Sequence, residues 1–143
     1  MANVTFLGGD GISDDEFEKQ AGDAANGAYM TTAAPDASKL PSAKTFVDAY
    51  KARFKSDVGP YSANAYAAAK IEIAAIEKAV NDNGGKMPTR ADVLKNVAAT
   101  KDFDSPIGKI GFDANGDTTA PILSLFKVQG GKRVTIDQIT VKT

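Results

Sequence analysis

The sequence predicts an α/β fold, and three observations support this class. A β-prone segment, a helix-start signal and a second β-prone segment follow one another between residues 3 and 32. This short alternation of strand and helix is typical of parallel strands with a helical crossover. The middle of the chain has three segments with helical signals. The end has two strand-like segments joined by Gln-Gly-Gly-Lys, which is typical of a β-hairpin.

The first expected elements are a strand, a helix and a second strand. Residues 3–7 (NVTFL) are rich in side chains that favour sheet, and a glycine-rich turn follows them. Ser13, with Glu16 three residues later, forms a capping-box pattern that predicts the start of a helix. The helix is expected to end before Gly22. Residues 27–32 (GAYMTT) are the second strand, so the order predicts a parallel pair.

Residues 33–41 contain two prolines and no periodic pattern, so they are interpreted as a connector. Three helices are predicted after it, at residues 42–55, 61–80 and 89–99. The second of them is rich in alanine, and its larger apolar residues recur at helical spacing. One stripe of apolar residues along it is predicted to face the core: Tyr66, Ala69, Ile73, Ile76 and Val80.

The last part of the chain is predicted to be β-structure. Residues 107–112 (IGKIGF) alternate loosely and predict a strand, and residues 113–117 (DANGD) predict a turn. Residues 122–128 and 133–141 are the two strands of the predicted hairpin.

The composition favours binding over catalysis. The length of 143 residues suits one domain, and 17 basic against 18 acidic residues argue against a nucleic-acid partner. The absence of cysteine and histidine excludes disulfides, thiol nucleophiles, histidine triads and nearly all zinc sites. We therefore expect no enzymatic activity, no metal and no cofactor. The first residues lack the basic and apolar regions of a signal peptide, and no apolar run is long enough to span a membrane.

Asp10 is the first candidate site residue. It lies between the predicted strand and helix, in the sequence GGDGIS. A carboxylate at the carboxyl end of a parallel strand lies where open α/β sheets bind ligands, and it suits a cation or an ammonium group. The glycine spacing matches neither common phosphate-binding motif. A structural interpretation also remains open, in which Asp10 bonds the backbone N–H groups of its own turn.

Tyr61 is the second candidate, because it follows Gly-Pro at a predicted helix start, although a core position suits the pattern equally well. Residues 113–117 resemble the first half of a calcium loop. The sixth and twelfth positions are Thr118 and Ser124 instead of glycine and glutamate, so a polar turn is expected. Asn3 begins a glycosylation sequon, which is interpreted as a chance match inside a strand.

Several stretches, taken in their order and spacing, resemble one family. They include FLGGDGISDDEFEKQAGDAANGAYMTT, GPYSANAY and SPIGKIGFDANGDTTAP. The chain resembles the carboxy-terminal part of a type I periplasmic solute-binding protein, in the group of branched-chain (Leu/Ile/Val) amino acid binding subunits of ABC transporters. The resemblance runs from about Thr5 to Lys132.

The resemblance implies a two-lobe α/β fold with an amino acid bound between the lobes. The family's acidic residue that binds the α-ammonium of the ligand matches Asp10. The aromatic or apolar residue after Gly-Pro, which lines the side-chain pocket, matches Tyr61. An aliphatic amino acid is the implied ligand and ABC permease subunits are the implied partners. The implied location is the periplasm or the extracellular space.

By the same resemblance, residues 1–33 are a segment of lobe 2, residues 34–118 a segment of lobe 1, and residues 119–143 strands that return to lobe 2. Because family members are much longer, the chain is expected to hold an incomplete parallel sheet with helices and a C-terminal β-hairpin. Uncovered strand edges and apolar faces then predict a further partner, either the missing amino-terminal part of the parent or a second copy.

Three other functions remain open from the sequence. The first is a ligand-sensing receptor domain of the same fold, and the second is a fragment that binds nothing by itself. The third is a small α/β enzyme that uses Asp10 as a base, although no nucleophile or cofactor motif accompanies this residue.

Overall fold

The computed structural model of the protein describes residues 4–141. Within this range the chain forms four α-helices and six β-strands. The helices are α1 (Asp15–Ala21), α2 (Lys44–Phe54), α3 (Ser62–Asp82) and α4 (Arg90–Ala98). The strands are β1 (Leu7–Gly8), β2 (Tyr29–Thr32), β3 (Phe103–Ser105), β4 (Gly108–Ile110), β5 (Ile122–Gln129) and β6 (Lys132–Thr140). The chain separates into two compact units. The first unit consists of Met1–Asp36 together with Pro121–Thr143, and the second is Ala37–Ala120.

The first unit contains a four-stranded sheet with the order β1-β2-β5-β6. Strands β1 and β2 are parallel, which confirms the predicted pair, and β5 is antiparallel to both β2 and β6. The first strand begins later than predicted, and its pairing starts where the Tyr29 N–H donates to the Phe6 carbonyl at 2.9 Å. Asn3, which begins the predicted sequon, lies outside the described residues.

The core of the first unit lies on one face of this sheet. Met30 of β2 and Val128 of β5 are 0% exposed, and they pack with Ala25 and Ala28. Half-buried apolar side chains from the Asp10–Ile12 turn and from α1 complete the cluster. Burial of these side chains is the main term that holds α1 on the sheet.

The N-cap of α1 is Asp14 and not Ser13, so the predicted capping box is wrong. The Asp14 carboxylate accepts hydrogen bonds from the backbone N–H groups of Glu16 at 2.8 Å and Phe17 at 3.2 Å. Ser13 is only 3% exposed, and its hydroxyl accepts from the Thr32 hydroxyl at 3.2 Å. Because Ser13 is drawn into the core beside β2, the next residue caps the helix.

The predicted glycine turns of the first unit are confirmed. Gly22 ends α1 with a φ of 54°. Gly130 and Gly131, with φ of 58° and 73°, join β5 to β6 in a two-residue turn. Such positive φ values favour glycine, since a Cβ atom would clash with the backbone. The Nη2 atom of Arg133 then donates to Asp15 at 2.7 Å, which joins β6 to the start of α1.

The second unit consists of α2, α3, α4 and the antiparallel hairpin β3–β4. The three predicted helices are confirmed, and the strand predicted at residues 107–112 is β4. Strand β3 was not predicted, because its sequence Phe-Asp-Ser lacks a strand pattern. Among residues 4–141, no helix is both long and apolar enough to cross a membrane.

The predicted core face of α3 is wrong. Its buried residues recur every four positions, and all but Ile71 are alanines: Ala63, Ala67, Ile71, Ala75 and Ala79. From the predicted stripe, Tyr66 is 47% exposed, Ile73 51% and Ile76 39%. The small side chains allow close packing of α3 against Ile110 and Val97. The hydrophobic pattern alone did not distinguish this alanine face from the face with larger side chains.

The capping box predicted for α4 is confirmed at Thr89 and Asp92. The Asp92 N–H donates to the Thr89 hydroxyl oxygen at 3.2 Å, and the Thr89 N–H donates to the Asp92 carboxylate at 3.0 Å. The Thr89 hydroxyl also donates to this carboxylate at 2.7 Å. The hydroxyl donor first, and the backbone donor second, hold the pKa of Asp92 below its ordinary range.

This geometry predicts a pH-dependent contribution of Asp92 to stability. Because its pKa is lower in the folded state, the contribution is complete above the unfolded-state pKa and is lost as the pH falls through the folded-state pKa. We expect the melting temperature of Asp92→Ala to lie below that of the wild type at neutral pH and to approach it in acid. Thermal melts over a pH series measure this gap, and a gap that did not change with pH would contradict the prediction.

Candidate functional site

Asp10 lies just beyond the carboxyl end of β1, at the start of the short 3-10 helix Asp10–Ile12. The residue is exposed, and its backbone carbonyl accepts from the Ser13 N–H at 2.9 Å. The helix that follows is capped by Asp14. The structure therefore places Asp10 at the sheet edge where parallel strands of α/β folds present ligand-binding groups.

The three glycines around Asp10 occur for different reasons. Gly8 is required by packing, because a Cβ atom there would lie 2.3 Å from Cδ1 of Ile12. A Cβ atom on Gly9 or Gly11 would meet no atom within 4 Å. The packing of the described residues therefore does not require glycine at these two positions, and both leave open space next to Asp10 in the chain.

Tyr61 occupies the N-cap position of α3. The turn before it is closed by Ser62, whose hydroxyl oxygen accepts from the Gly59 N–H at 3.0 Å and whose N–H donates to the Gly59 carbonyl at 3.1 Å. The side chain of Tyr61 is 38% exposed. It does not belong to any of the three apolar clusters found among the described residues.

Two features of the second unit were missed by sequence reasoning. The Oδ1 atom of Asn64, in the first turn of α3, is buried without a hydrogen-bond partner in the described part of the chain. A shallow cavity of about 290 Å³ also lies beside α3. Its lining combines aromatic and charged side chains: Tyr66, Ala67, Lys70, Phe103, Asp104, Ser105 and Pro106. It was not predicted because β3, which forms part of its wall, was not predicted.

The DANGD segment is the expected polar turn. One carboxylate oxygen of Asp113 accepts from the N–H groups of Asn115 at 2.8 Å and Asp117 at 2.9 Å. This oxygen is therefore used to hold its own turn. Between residues 4 and 141, no group of three or more acidic side chains is close enough together to hold a metal ion.

The two candidate residues belong to different parts of the fold. Asp10 lies in the first unit and Tyr61 in the second. Each lies where a regular element begins or ends, and each is exposed. Their roles in ligand binding remain predictions.

Comparison with known proteins gives one consistent result. A family model described as "Periplasmic binding protein" matches residues 2–132. The chain is 37% identical over 133 residues to the Leu/Ile/Val-binding protein BraC3 of Rhizobium johnstonii, with 93% of this chain and 34% of the relative covered. It is 34% identical over 131 residues to the Leu/Ile/Val-binding protein homolog 3 of Brucella melitensis, with 92% of this chain and 34% of that relative covered.

The structural comparison agrees. The crystal structure of the leucine-binding protein LivK from Thermotoga maritima matches with a TM-score of 0.81 at 26% identity, over 96% of this chain and 38% of that chain. The chain therefore spans about a third of the length of the proteins it matches.

Proposed function

Because this chain belongs to the periplasmic binding protein family, we propose that it is part of an extracytoplasmic solute-binding protein of an ABC importer. The ligand is an aliphatic amino acid, of the branched-chain type named for its relatives. The protein is not an enzyme and needs no cofactor. It delivers its ligand to the permease subunits of the transporter in the periplasm or at the cell surface.

In this proposal the amino acid is held between two lobes that close around it. Residues 1–33 and 119–143 are segments of lobe 2, and residues 34–118 are a segment of lobe 1. Ligand contacts on both lobes favour the closed state over the open one, so binding shifts the population toward closure. The remaining contacts, including those to the α-carboxylate of the ligand, come from the part of the fold outside this chain.

Asp10 supplies the negative charge for the α-ammonium group. The observation that carries this assignment is its exposed position just beyond the carboxyl end of β1, between two glycines that the packing does not require. A charge-assisted hydrogen bond from an ammonium group to a carboxylate is stronger than a neutral one. An α-ammonium is common to all amino acids, so Asp10 contributes affinity without selecting the side chain.

Tyr61 forms a wall of the pocket for the ligand side chain. The hydrogen bonds between Ser62 and Gly59 close the turn that contains its backbone, and the residue is 38% exposed. An aromatic ring held in this way offers apolar surface at little cost in conformational entropy. We assign selectivity among amino acids to this residue rather than to Asp10.

A ligand screen tests the proposal. In a chimera, the 133-residue stretch of this chain that matches the Rhizobium johnstonii relative replaces the corresponding segment of that protein. We expect Leu, Ile or Val to raise its melting temperature, corresponding to about 2.7 kcal/mol of stabilisation at a hundredfold excess over Kd. Tyr61→Ala in this chimera should change the ranking of the amino acids.

The same screen on the 143-residue chain alone shows whether the described part suffices for binding. D-leucine and the free carboxylic acid isovalerate, which lacks an ammonium group, serve as control ligands. A chimera that melts cooperatively yet responds to none of the twenty amino acids would contradict the proposed function.

A further inference from the structure

Buried polar side chains of the first unit form a row across one edge of its sheet. Among residues 4–141, the fully buried polar residues are Ser13, Thr32 and Ser124, each 1–3% exposed. Thr32, the last residue of β2, pairs with Ser124 of β5, which in turn pairs with Gln138 of β6. Thr32 follows Met30 by two residues and therefore lies on the core face of the sheet. The four residues Ser13, Thr32, Ser124 and Gln138 are here called the polar row.

The polar row lies at the sheet edge that carries the Asp10 turn. Strands β1 and β2 are parallel, and Gly8 at the end of β1 pairs with Met30. Thr32 lies two residues beyond Met30, so it marks the edge where the chain leaves β1 and enters the turn at Asp10. The buried polar side chains of this unit are therefore gathered beside a candidate site residue.

Hydrogen bonds fix the members of the polar row. The Thr32 hydroxyl donates to the Ser13 hydroxyl oxygen at 3.2 Å. The Ser124 hydroxyl donates to the Ala34 carbonyl at 2.6 Å and accepts from the Nε2 atom of Gln138 at 3.0 Å. A buried hydroxyl that loses its partner costs free energy, so these bonds define where each side chain lies.

A short path of hydrogen bonds connects Thr32 to the backbone of Asp10. Ser13, whose hydroxyl accepts from Thr32, donates its own N–H to the Asp10 carbonyl at 2.9 Å. Helix α1 does not fix Ser13, because its N-cap is Asp14 and Ser13 has a φ of −86° and a ψ of 58°, outside the helical region. The turn also contains two glycines, which have more backbone freedom than other residues. The hydroxyl pair therefore ties a turn of adaptable backbone to β2.

We propose that Thr32 is a positioning residue, which holds the turn through Ser13 so that the Asp10 carboxylate faces an incoming α-ammonium group. This inference rests on the proposed function of Asp10. A hydroxyl pair suits the task, because a hydrogen bond has a preferred direction and a contact between apolar side chains does not. An apolar pair of the same shape would serve the stability of the core about as well, so stability alone does not account for the two hydroxyls.

The matched variants are Thr32→Val and Thr31→Val in the chimera described above. Each removes one hydroxyl from β2 and keeps a similar shape, but Thr32 is buried and Thr31 is exposed. We expect Thr32→Val to weaken leucine binding roughly three- to tenfold, which is less than the effect of Asp10→Asn because the carboxylate is kept but no longer held. Thr31→Val should leave the affinity unchanged. Isothermal titration calorimetry measures both.

A double-mutant cycle separates positioning from a general structural effect. If Thr32 acts through Asp10, the variant Asp10→Asn/Thr32→Val binds leucine as weakly as Asp10→Asn alone. A loss by the same factor in both backgrounds overturns the proposal. Ser13→Ala/Thr32→Val removes both hydroxyls and leaves neither without its partner, so its melting temperature should stay near that of the wild type. Its leucine affinity should still fall as in Thr32→Val, which separates lost positioning from misfolding.

Amide hydrogen exchange of the 143-residue chain without amino acid gives an independent readout. Thr32→Val should speed exchange of the Ser13 N–H several-fold and leave the Val128 N–H, which donates to the Ala28 carbonyl at 2.9 Å, unchanged as a reference. Unchanged exchange at Ser13, or an equal loss of affinity in Thr31→Val, overturns the proposal. If the unmodified chimera binds no amino acid, the proposed function fails, and the exchange rates still decide whether Thr32 holds the turn.

Discussion

Truncating Met30 to alanine lowers the free energy of unfolding by about 2–5 kcal/mol, the range for buried methionine in close-packed cores. Met30 is 0% exposed and lies in β2, between β1 and β5. Its side chain packs in the cluster formed by Ala25, Ala28 and Val128. Two of these neighbours are alanines, whose short side chains cannot move into the space left by the truncation, so most of the cavity should persist.

A second methionine provides the matched control. Met87 is 89% exposed, so Met87→Ala should change the free energy of unfolding by no more than about 0.5 kcal/mol. Urea denaturation of the three proteins measures both effects, and the Met30 variant should show a lower midpoint with an unchanged slope. Equal losses for the two variants would contradict the position of Met30 in the core. Since a domain of this size is typically stable by about 5–15 kcal/mol, this loss is a large fraction of the total stability.

Replacing Asp10 with asparagine should weaken amino-acid binding by the chimera about ten- to a hundredfold. A hydrogen bond to a charged group contributes about 1.5–3 kcal/mol, and 1.4 kcal/mol corresponds to a factor of ten in Kd. The loss should be similar for Leu, Ile and Val, because the α-ammonium is common to them. Isothermal titration calorimetry of each ligand measures this directly.

Two further variants separate charge from shape and from general effects. Asp10→Glu keeps the carboxylate and should retain binding, since the position is exposed and has room for a longer side chain. Asp23→Asn removes an exposed carboxylate elsewhere in the first unit and should leave the affinity unchanged. If Asp10→Asn bound all three amino acids as tightly as the unmodified chimera, the assignment of Asp10 would be wrong.

The sequence predicted where the two candidate site residues, Asp10 and Tyr61, lie in the fold, but not what they do. Their positions after a strand and at a helix start followed from local signals, and the structure places both there. Chain pattern could not separate a ligand-binding role from a turn or core role. The exposure of Tyr61 and the capping of α1 by Asp14 are tertiary facts, and the roles of Asp10 and Tyr61 in ligand binding stay predictions. The buried Oδ1 atom of Asn64 and the cavity beside α3 had no sequence signal.

Features whose geometry depends on residues a few positions apart could be predicted from the amino-acid sequence. These are the Thr89–Asp92 capping box, the end of α1 at Gly22 and the glycine turn between β5 and β6. Contacts between residues far apart in the chain depend on how the elements pack, so the sequence pattern did not predict them. The Thr32 hydroxyl donates to the buried Ser13 hydroxyl, and Asp14 instead of Ser13 caps α1. In α3 the alanines are buried and Ile73 is exposed. Which face of the helix is buried depends on how closely the neighbouring elements pack against it and not only on the hydrophobicity of its side chains.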